Sequence, residues 1–263
     1  YEEAAKFADD YAELKKRQKS GEFVTNTGTK KRRFRRVESK ITAKGARAIF
    51  YRQFLEYKKE KYFIFTKMTV LSAVVAFIFA YSLQKSVSDS SMAGFILLGV
   101  VAYVALIMSG YTGKWESELK NPYIFLIPDS PLKKMWYATL MEHVKAFADG
   151  CIICIPIGIF WHVPVIEIIY CILIYTVLQA DRLYTMVIVQ SLLGEVFGKT
   201  GQSLLRMFIQ MALLGVGAGV GVLAAVLISQ TLIFPIVLIY GLMITVAMGA
   251  IALLRFDTME QFV

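Results

Sequence analysis

Three ionisable residues in an otherwise apolar stretch have the spacing of a single helical face. Glu142, Lys145 and Asp149 occupy positions i, i+3 and i+7, and their charges alternate in sign. Because residues three or four apart are neighbours on a helix, these charges can pair along the face. Two interpretations stay open: the face is the interfacial approach to an apolar helix, or it is a polar wall of an inward-facing cavity.

A second charged pair, Asp181 and Arg182, consists of adjacent residues within a long apolar block. Adjacent residues on a helix point about 100° apart, so these two cannot neutralise each other on the same face. We expect one or both to face another helix, a water-filled cavity or a local break. His143 lies one position off the face of Glu142 and has no cluster of Cys or His around it, so it does not indicate a metal site.

Catalytic motifs are absent from the sequence. It contains no Walker A, HExxH or GxSxG pattern, and its two histidines leave little scope for acid–base chemistry. Cys151 and Cys154 are surrounded by apolar residues, which favours packing over redox or metal chemistry. The sequence thus predicts no catalytic, cofactor-binding or metal site in this chain, and any energy source is expected to be another polypeptide.

Composition indicates the class of protein in which these ionisable residues lie. Hydrophobic residues make up 57% of the 263 positions, and charged residues only 19%. Mean hydropathy is +0.55, well above that of a soluble domain of this size. The sequence predicts an all-α, polytopic membrane protein.

Six blocks are apolar and long enough to cross the hydrocarbon, which requires about 20 residues. They are residues 62–83, 93–112, 143–162, 165–196, 203–228 and 231–254. The block 165–196 is interpreted as one long or kinked helix. Lys and Arg alternate between the loops as the positive-inside rule requires when both chain ends are cytoplasmic. We therefore expect residues 62–263 to form a six-helix transmembrane domain.

The region before the first span is strongly basic. Residues 1–61 hold 18 Lys and Arg against nine Asp and Glu, which accounts for the whole net charge of +9. Residues 1–40 are predicted to be a charged helix and basic linker, and residues 41–61 an amphipathic interfacial helix. Beside a span, the run KKRRFRR favours anionic lipid over nucleic acid. Its candidate lipid-binding residues are Lys30, Lys31, Arg32, Arg33, Arg35 and Arg36.

The connector between the second and third blocks, residues 119–134 (LKNPYIFLIPDSPLKK), is rich in proline. Pro122, Pro128 and Pro131 are three of the chain's six prolines. Proline fixes φ and ends helices, so these residues predict a stiff element rather than a flexible loop. Residues 123–127 are apolar, and an apolar surface of this kind is unusual in a soluble loop unless lipid or a partner protein covers it.

The order of KGARAIFYRQFLEYKK (44–59), two spans and LKNPYIFLIPDSPLKKMWYA (119–138) resembles the membrane subunits of bacterial ABC exporters, related to ABC-2-type permeases. The resemblance covers roughly residues 40–260 and implies the C-terminal half of a longer chain in the bacterial plasma membrane. It implies a separate ABC ATPase that binds ATP and Mg²⁺, and a second permease half or copy. The implied cargo is a peptide, lipid or drug-like molecule exported by alternating access.

The resemblance also implies which residues couple to the ATPase, namely those of the amphipathic helix and the connector. These candidates are Arg47, Arg52, Lys120, Asn121, Pro122, Tyr123, Pro128, Asp129, Pro131 and Lys133. Two alternatives from other functional classes stay open. The protein could be a membrane scaffold that recruits a partner through its basic segment, or an intramembrane enzyme in which the acids and His143 converge.

Overall fold

The computed structural model describes residues 43–59, 63, 65, 67–83, 90–110, 114–119, 124–193, 198–227, 229 and 232–261. Within these ranges the chain is helical and contains no strand, which confirms the predicted all-α class. The eight helices there are α1 (Arg47–Lys59), α2 (Lys67–Leu83), α3 (Ser90–Ser109), α4 (Lys114–Leu119), α5 (Pro131–Phe160), α6 (Val165–Leu193), α7 (Gly198–Leu227) and α8 (Ile233–Gln261).

Five of the predicted spans correspond to helices that are long and apolar enough to cross a membrane. These are α3, α5, α6, α7 and α8. The remaining predicted span, 62–83, corresponds to α2, a helix of 17 residues, and only its shorter stretch Thr69–Leu83 counts as apolar. The count of six spans is thus not reached in the described part of the chain.

Helix α5 is longer than the sequence predicted. It has 30 residues and begins at Pro131 rather than at residue 143. Proline suits the first position of a helix because its fixed φ is helical and its missing N–H needs no partner there. The hydropathy pattern marked only the apolar second half of this helix, since the first half carries polar residues. The first half of α5 therefore projects beyond the apolar span.

Helix α6 is the central element of the bundle. It runs unbroken from Val165 to Leu193, as predicted for one long helix. It packs against α3, α5, α7 and α8. A tight turn joins it to α5: the Trp161 N–H donates to the Ile157 carbonyl at 3.0 Å, and the Val163 N–H donates to the Gly158 carbonyl at 2.9 Å. Most of α6 is buried, and its ionisable residues Asp181 and Arg182 are among the buried ones.

Two hydrophobic cores lie at opposite ends of the bundle. One joins α2, α3, the second half of α5 and the first half of α6, and Cys154 and Cys171 are buried in it. The other joins α1, α4, residues 124–125, the first half of α5 and the last turns of α6 and α8. We call this second end the connector end.

Two glycines of α7, Gly217 and Gly221, lie against α8. A Cβ added at Gly217 would come within 3.0 Å of Tyr240 Cε1, and one at Gly221 within 3.3 Å of Val237 Cγ2. At Gly219, by contrast, an added Cβ would meet nothing within 4 Å. Contacts with α8 therefore favour a small residue at Gly217 and Gly221, but not at Gly219.

Gly217→Leu is expected to destabilise the protein because the new side chain overlaps the ring of Tyr240. Overpacking of this kind costs about 1–3 kcal/mol. Gly219→Leu is the matched control, since it makes the same chemical change on the same helix into open space. Thermal unfolding in one detergent should give a lower melting temperature for Gly217→Leu alone. Equal melting temperatures would contradict the close contact between α7 and α8.

Candidate functional site

A carboxylate from the connector binds the residue immediately before α1. The Ala46 N–H donates to Asp129 Oδ2 at 3.2 Å. The preceding residue, Gly45, has a φ of +62°, and a Cβ there would lie 2.8 Å from the same oxygen. Only glycine allows both this backbone conformation and this approach. Asp129 thus fills the role of an N-cap from a distant part of the chain.

Local contacts keep Asp129 ionised. Its Oδ1 accepts the Ser130 N–H at 3.0 Å, and Lys133 Nζ lies 3.5 Å from the same oxygen. The backbone N–H groups of Ala46 and Ser130 are the main reason that the pKa of Asp129 is below its ordinary value. A negative charge also suits the positive end of a helix dipole.

A second carboxylate, Glu142 of α5, caps the second short helix. Glu142 Oε1 accepts the N–H of Lys114, the first residue of α4, at 3.2 Å. The same oxygen accepts the Tyr57 hydroxyl from the end of α1, also at 3.2 Å. Glu142 is buried, so its bonds are shielded from water. One side chain therefore joins α1, α4 and α5.

Further contacts hold α1 along the first half of α5. Gln53 Nε2, which is buried, donates to the Ala138 carbonyl at 3.0 Å. Arg47 Nε donates to the Tyr137 hydroxyl at 3.2 Å. Arg52 forms an ion pair with Glu118 of α4. We call α1, α4 and residues 124–130 together the connector region. The bonds of Gln53 and Arg47 attach it to α5, whereas the Arg52–Glu118 pair joins α1 to α4.

The apolar part of the connector is covered by the chain itself. Ile124 and Phe125 are buried in the connector-end core, and the Phe125 ring lies 5.1 Å from that of Phe256 in α8. The buried ammonium group of Lys134 donates to the Phe125 carbonyl at 3.1 Å. Leu126, in contrast, is 65% exposed. The expectation that lipid or a partner must cover the apolar residues was therefore wrong for Ile124 and Phe125.

A groove of about 710 Å³ opens beside Asp129, between the start of α1 and the start of α5. Basic and aromatic side chains line it. They are Lys44, Arg47, Tyr51, Lys133, Trp136 and Tyr137, together with Leu132, Ala43 and Asp129. Three of the groups are cations and one is an anion, so the groove carries a net positive charge.

The predicted polar face of α5 lies inside the bundle. Glu142, Lys145 and Asp149 surround a small cavity of about 20 Å³ with Tyr175, Gln179 and Arg182 of α6. That volume is near the space needed for one water molecule. We call these six residues the polar cluster. The structure thus brings together four of the predicted intramembrane residues.

Bonds from neighbouring helices tie the polar cluster to the bundle. Arg182 Nη1 donates to the Met108 carbonyl of α3 at 3.1 Å. Asp149 is hydrogen-bonded to the side chain of Thr69 in α2. With two acids and two bases, the cluster has balanced formal charges, which lowers the cost of burying them.

Asp181 is separated from its neighbour Arg182, as predicted for adjacent residues on a helix. It lines a different, apolar cavity of about 320 Å³ between α3, α6, α7 and α8. The side chain of Thr245 in α8 lies beside it, and the Thr245 hydroxyl donates to the Gly241 carbonyl at 2.9 Å. The five intramembrane candidates therefore lie in two separate sites. Four belong to the polar cluster between α5 and α6, and Asp181 lines the apolar cavity.

Sequence inspection missed several residues of these sites. Arg206 Nη1 of α7 lies 3.6 Å from Glu116 Oε2 of α4, and both side chains are buried. Gln53 and Gln179 are also buried. Arg206 lies within the apolar block 203–228, and this position is the signal by which it could have been found. The glutamines carried no signal in the sequence.

The remaining predicted site residues are distributed as follows. Pro131 starts α5 and Pro128 is exposed on the connector. The candidates Lys120, Asn121, Pro122 and Tyr123, and all six candidate lipid-binding residues between Lys30 and Arg36, lie outside the described residues.

Glu142→Leu is expected to detach α4 and the end of α1 from α5. The change leaves the Tyr57 hydroxyl and the Lys114 N–H without their acceptor, and a buried unsatisfied group costs about 1–3 kcal/mol. Glu142→Gln keeps an acceptor oxygen and should retain most of the stability. Thermal unfolding of both variants measures the difference. If Glu142→Gln were as unstable as Glu142→Leu, the capping role of the carboxylate oxygen would be refuted.

The contact between α1 and Asp129 should weaken in acid. Because the pKa of Asp129 is lowered in the folded protein, its contribution is complete above the unfolded value of about 4 and is lost as the pH falls through the folded value. Spin labels at the exposed positions Tyr51 and Trp136 report the distance between α1 and α5.

In the wild type, the distance distribution should be narrow at pH 7 and broaden below about pH 4. Asp129→Asn should give the broad distribution at both pH values. Lys133→Gln, which removes only an exposed ion-pair partner, should behave like the wild type. A narrow distribution in Asp129→Asn at pH 7 would show that the carboxylate does not hold α1.

Comparison with known proteins gives one result for the chain as a whole. A family model described as "Putative ABC exporter" matches residues 1–260. No curated protein matches the chain. No solved structure matches it either.

Proposed function

The chain belongs to this ABC exporter family, and on that premise we propose that it is the permease subunit of an ATP-driven exporter of the ABC-2 type. A separate ATPase, which binds ATP and Mg²⁺, docks on the connector region from the cytoplasm. Its ATP cycle moves the helices between inward-open and outward-open states. The permease works with a second half or copy in the bacterial plasma membrane.

The attachment of the connector region to α5 is the observation that carries this proposal. Asp129 holds the start of α1, and Glu142 holds the end of α1 and the start of α4. Helix α5 has 30 residues and is therefore about 45 Å long. A displacement of the connector region is thus transmitted to one continuous helix of 30 residues.

Surface chemistry supports docking at this end. The groove beside Asp129 has a net positive charge, and Leu126, Leu132 and Trp136 are each more than half exposed. Apolar anchors with a charged rim are typical of protein interfaces. The ATPase is expected to contribute acidic residues to the groove and an apolar pocket for Leu126.

The basic groups also support the proposed orientation. Arg47, Lys58 and Lys59 are exposed on α1, and basic residues favour the cytoplasmic side. A chain with six spans has both of its ends on that side. Helix α2, with 17 residues, is at the lower limit for one crossing.

Leu126→Asp is expected to abolish binding of the ATPase without unfolding the permease, because this side chain is exposed while Ile124 and Phe125 anchor the connector. Val165→Asp is the matched control, since Val165 is 73% exposed against 65% for Leu126 and lies at the opposite end of the bundle. The measurement is purification of the tagged chain from native membranes in mild detergent. Copurifying chains are identified by mass spectrometry and the eluate is assayed for ATPase activity.

The proposed function requires a stoichiometric partner with a Walker A motif in the wild type and in Val165→Asp. Wild-type protein that is free of any ATPase in several detergents would refute the permease proposal. An ATPase that still binds Leu126→Asp would leave the permease proposal intact and refute this docking surface.

A further inference from the structure

We propose that the apolar cavity between α3, α6, α7 and α8 is a binding site for a small hydrophobic cation, an organic amine whose ammonium group pairs with the Asp181 carboxylate. The inference rests on the proposed function in one respect, because an exporter would hold its cargo at such a site. It goes beyond that function by naming the chemical class of the cargo.

The cavity has the size and the surface of a ligand site. Its volume is about 320 Å³, at the lower end of the range for small-molecule pockets and too small for a peptide or a whole lipid. Small residues from three helices make the space. They include Gly99 and Ala102 of α3, Gly217 and Ala218 of α7, and Gly241 of α8.

Asp181 is an unpaired acid within this apolar surface. Its side chain is only 1% exposed, yet its Oδ1 atom has no hydrogen-bond partner. The Thr245 side chain lies beside the carboxyl group, but its hydroxyl donates to the Gly241 carbonyl at 2.9 Å. An ionisable group at such a depth is costly unless it is paired or functional. Among the residues that line the cavity in the described part of the chain, Asp181 is the one that can carry a charge.

Two cations of the neighbouring segments, Arg182 and Lys145, lie in the polar cluster and not in this cavity. Arg182 points into the polar cluster, where it donates to the Met108 carbonyl. Lys145 lines the same cluster beside Asp149. Neither lines the cavity of Asp181, so no cation among the described residues that line this cavity pairs with the carboxyl group.

Aromatic rings complete the chemistry of the site. Phe95 and Tyr240 line the cavity. The Tyr240 hydroxyl already donates to the Leu213 carbonyl at 3.1 Å, so the ring rather than the hydroxyl is offered to a ligand. Aromatic faces attract cations, and the attraction is stronger in a desolvated site. The ammonium group of such a ligand pairs with the carboxylate and contacts the aromatic rings. Its apolar body packs against the aliphatic side chains that line the cavity.

The test uses a dansyl-labelled alkylamine as the probe and the purified full chain in detergent, without any ATPase. The same probe with its amine acetylated is the neutral reference. The wild type should bind the amine about tenfold or more tightly than the acetylated probe, because only the amine pairs with the buried carboxylate. Asp181→Asn should remove this difference. Asp149→Asn, which removes an acid of the polar cluster, should keep it.

A second variant tests the site with Asp181 in place. Gly99 lines the cavity, and a Cβ added there meets nothing within 4 Å. Gly99→Leu should therefore fill the cavity and weaken binding of both probes several-fold. Gly219→Leu adds the same side chain outside the cavity and should bind both probes as the wild type does.

The proposal is overturned if the wild type binds the two probes equally, if Asp181→Asn keeps the preference for the amine, or if Gly99→Leu binds as the wild type does. Equal melting temperatures of the variants and the wild type establish that binding, and not folding, is compared. Because no ATPase takes part, a missing partner leaves this result unaffected. Loss of the amine preference in turn leaves the permease proposal standing.

Discussion

Free backbone N–H groups at the start of a helix must find acceptors, and this constraint organises the connector end of the protein. Two short helices, α1 and α4, begin where an apolar bundle limits access to water. Asp129 and Glu142 supply the acceptors, and both belong to α5 or to the segment that enters it. The position of both short helices therefore depends on one long helix. The hydrophobic contacts of Trp115, Ile124 and Phe125 then fill the space that the two caps define.

The same helix geometry divides the ionisable groups of the bundle into two environments. Asp181 and Arg182 are adjacent in sequence, but the 100° step between them directs one to an apolar cavity and the other to a polar cluster. In the polar cluster each acid has a base nearby, so its charges largely compensate. The cavity of Asp181, in contrast, has no cation among the described residues that line it. Balanced charges favour a structural role, whereas an unbalanced charge favours ligand binding.

Patterns of local origin were predictable from the sequence. Hydropathy identified five of the spans, the length of the block at 165–196 indicated one long helix, and the step between Asp181 and Arg182 indicated their separation. Helical spacing also placed Glu142, Lys145 and Asp149 on one face. Each of these predictions depends on residues within a few turns of one another, where sequence and geometry are directly related.

Contacts between distant residues were not predictable in this way. Hydropathy placed the start of α5 at residue 143, because the polar residues of its first half are buried only through partners such as Gln53 and Tyr57. The burial of Ile124 and Phe125 within the chain was not predicted, because it depends on distant residues. The ring of Phe256, for example, packs against that of Phe125. Buried glutamines have no distinctive spacing. The caps on α1 and α4 likewise join residues that nothing in the local pattern connects.

The tight turn between α5 and α6 has a mechanical consequence. Its residue His162 has a φ of +56°, and a Cβ at Gly158 would lie 2.4 Å from Ile168 Cδ1, so the two helices are pressed together at that end. A rotation of one helix against the other about this turn would therefore separate them most at the connector end, with the polar cluster partway between.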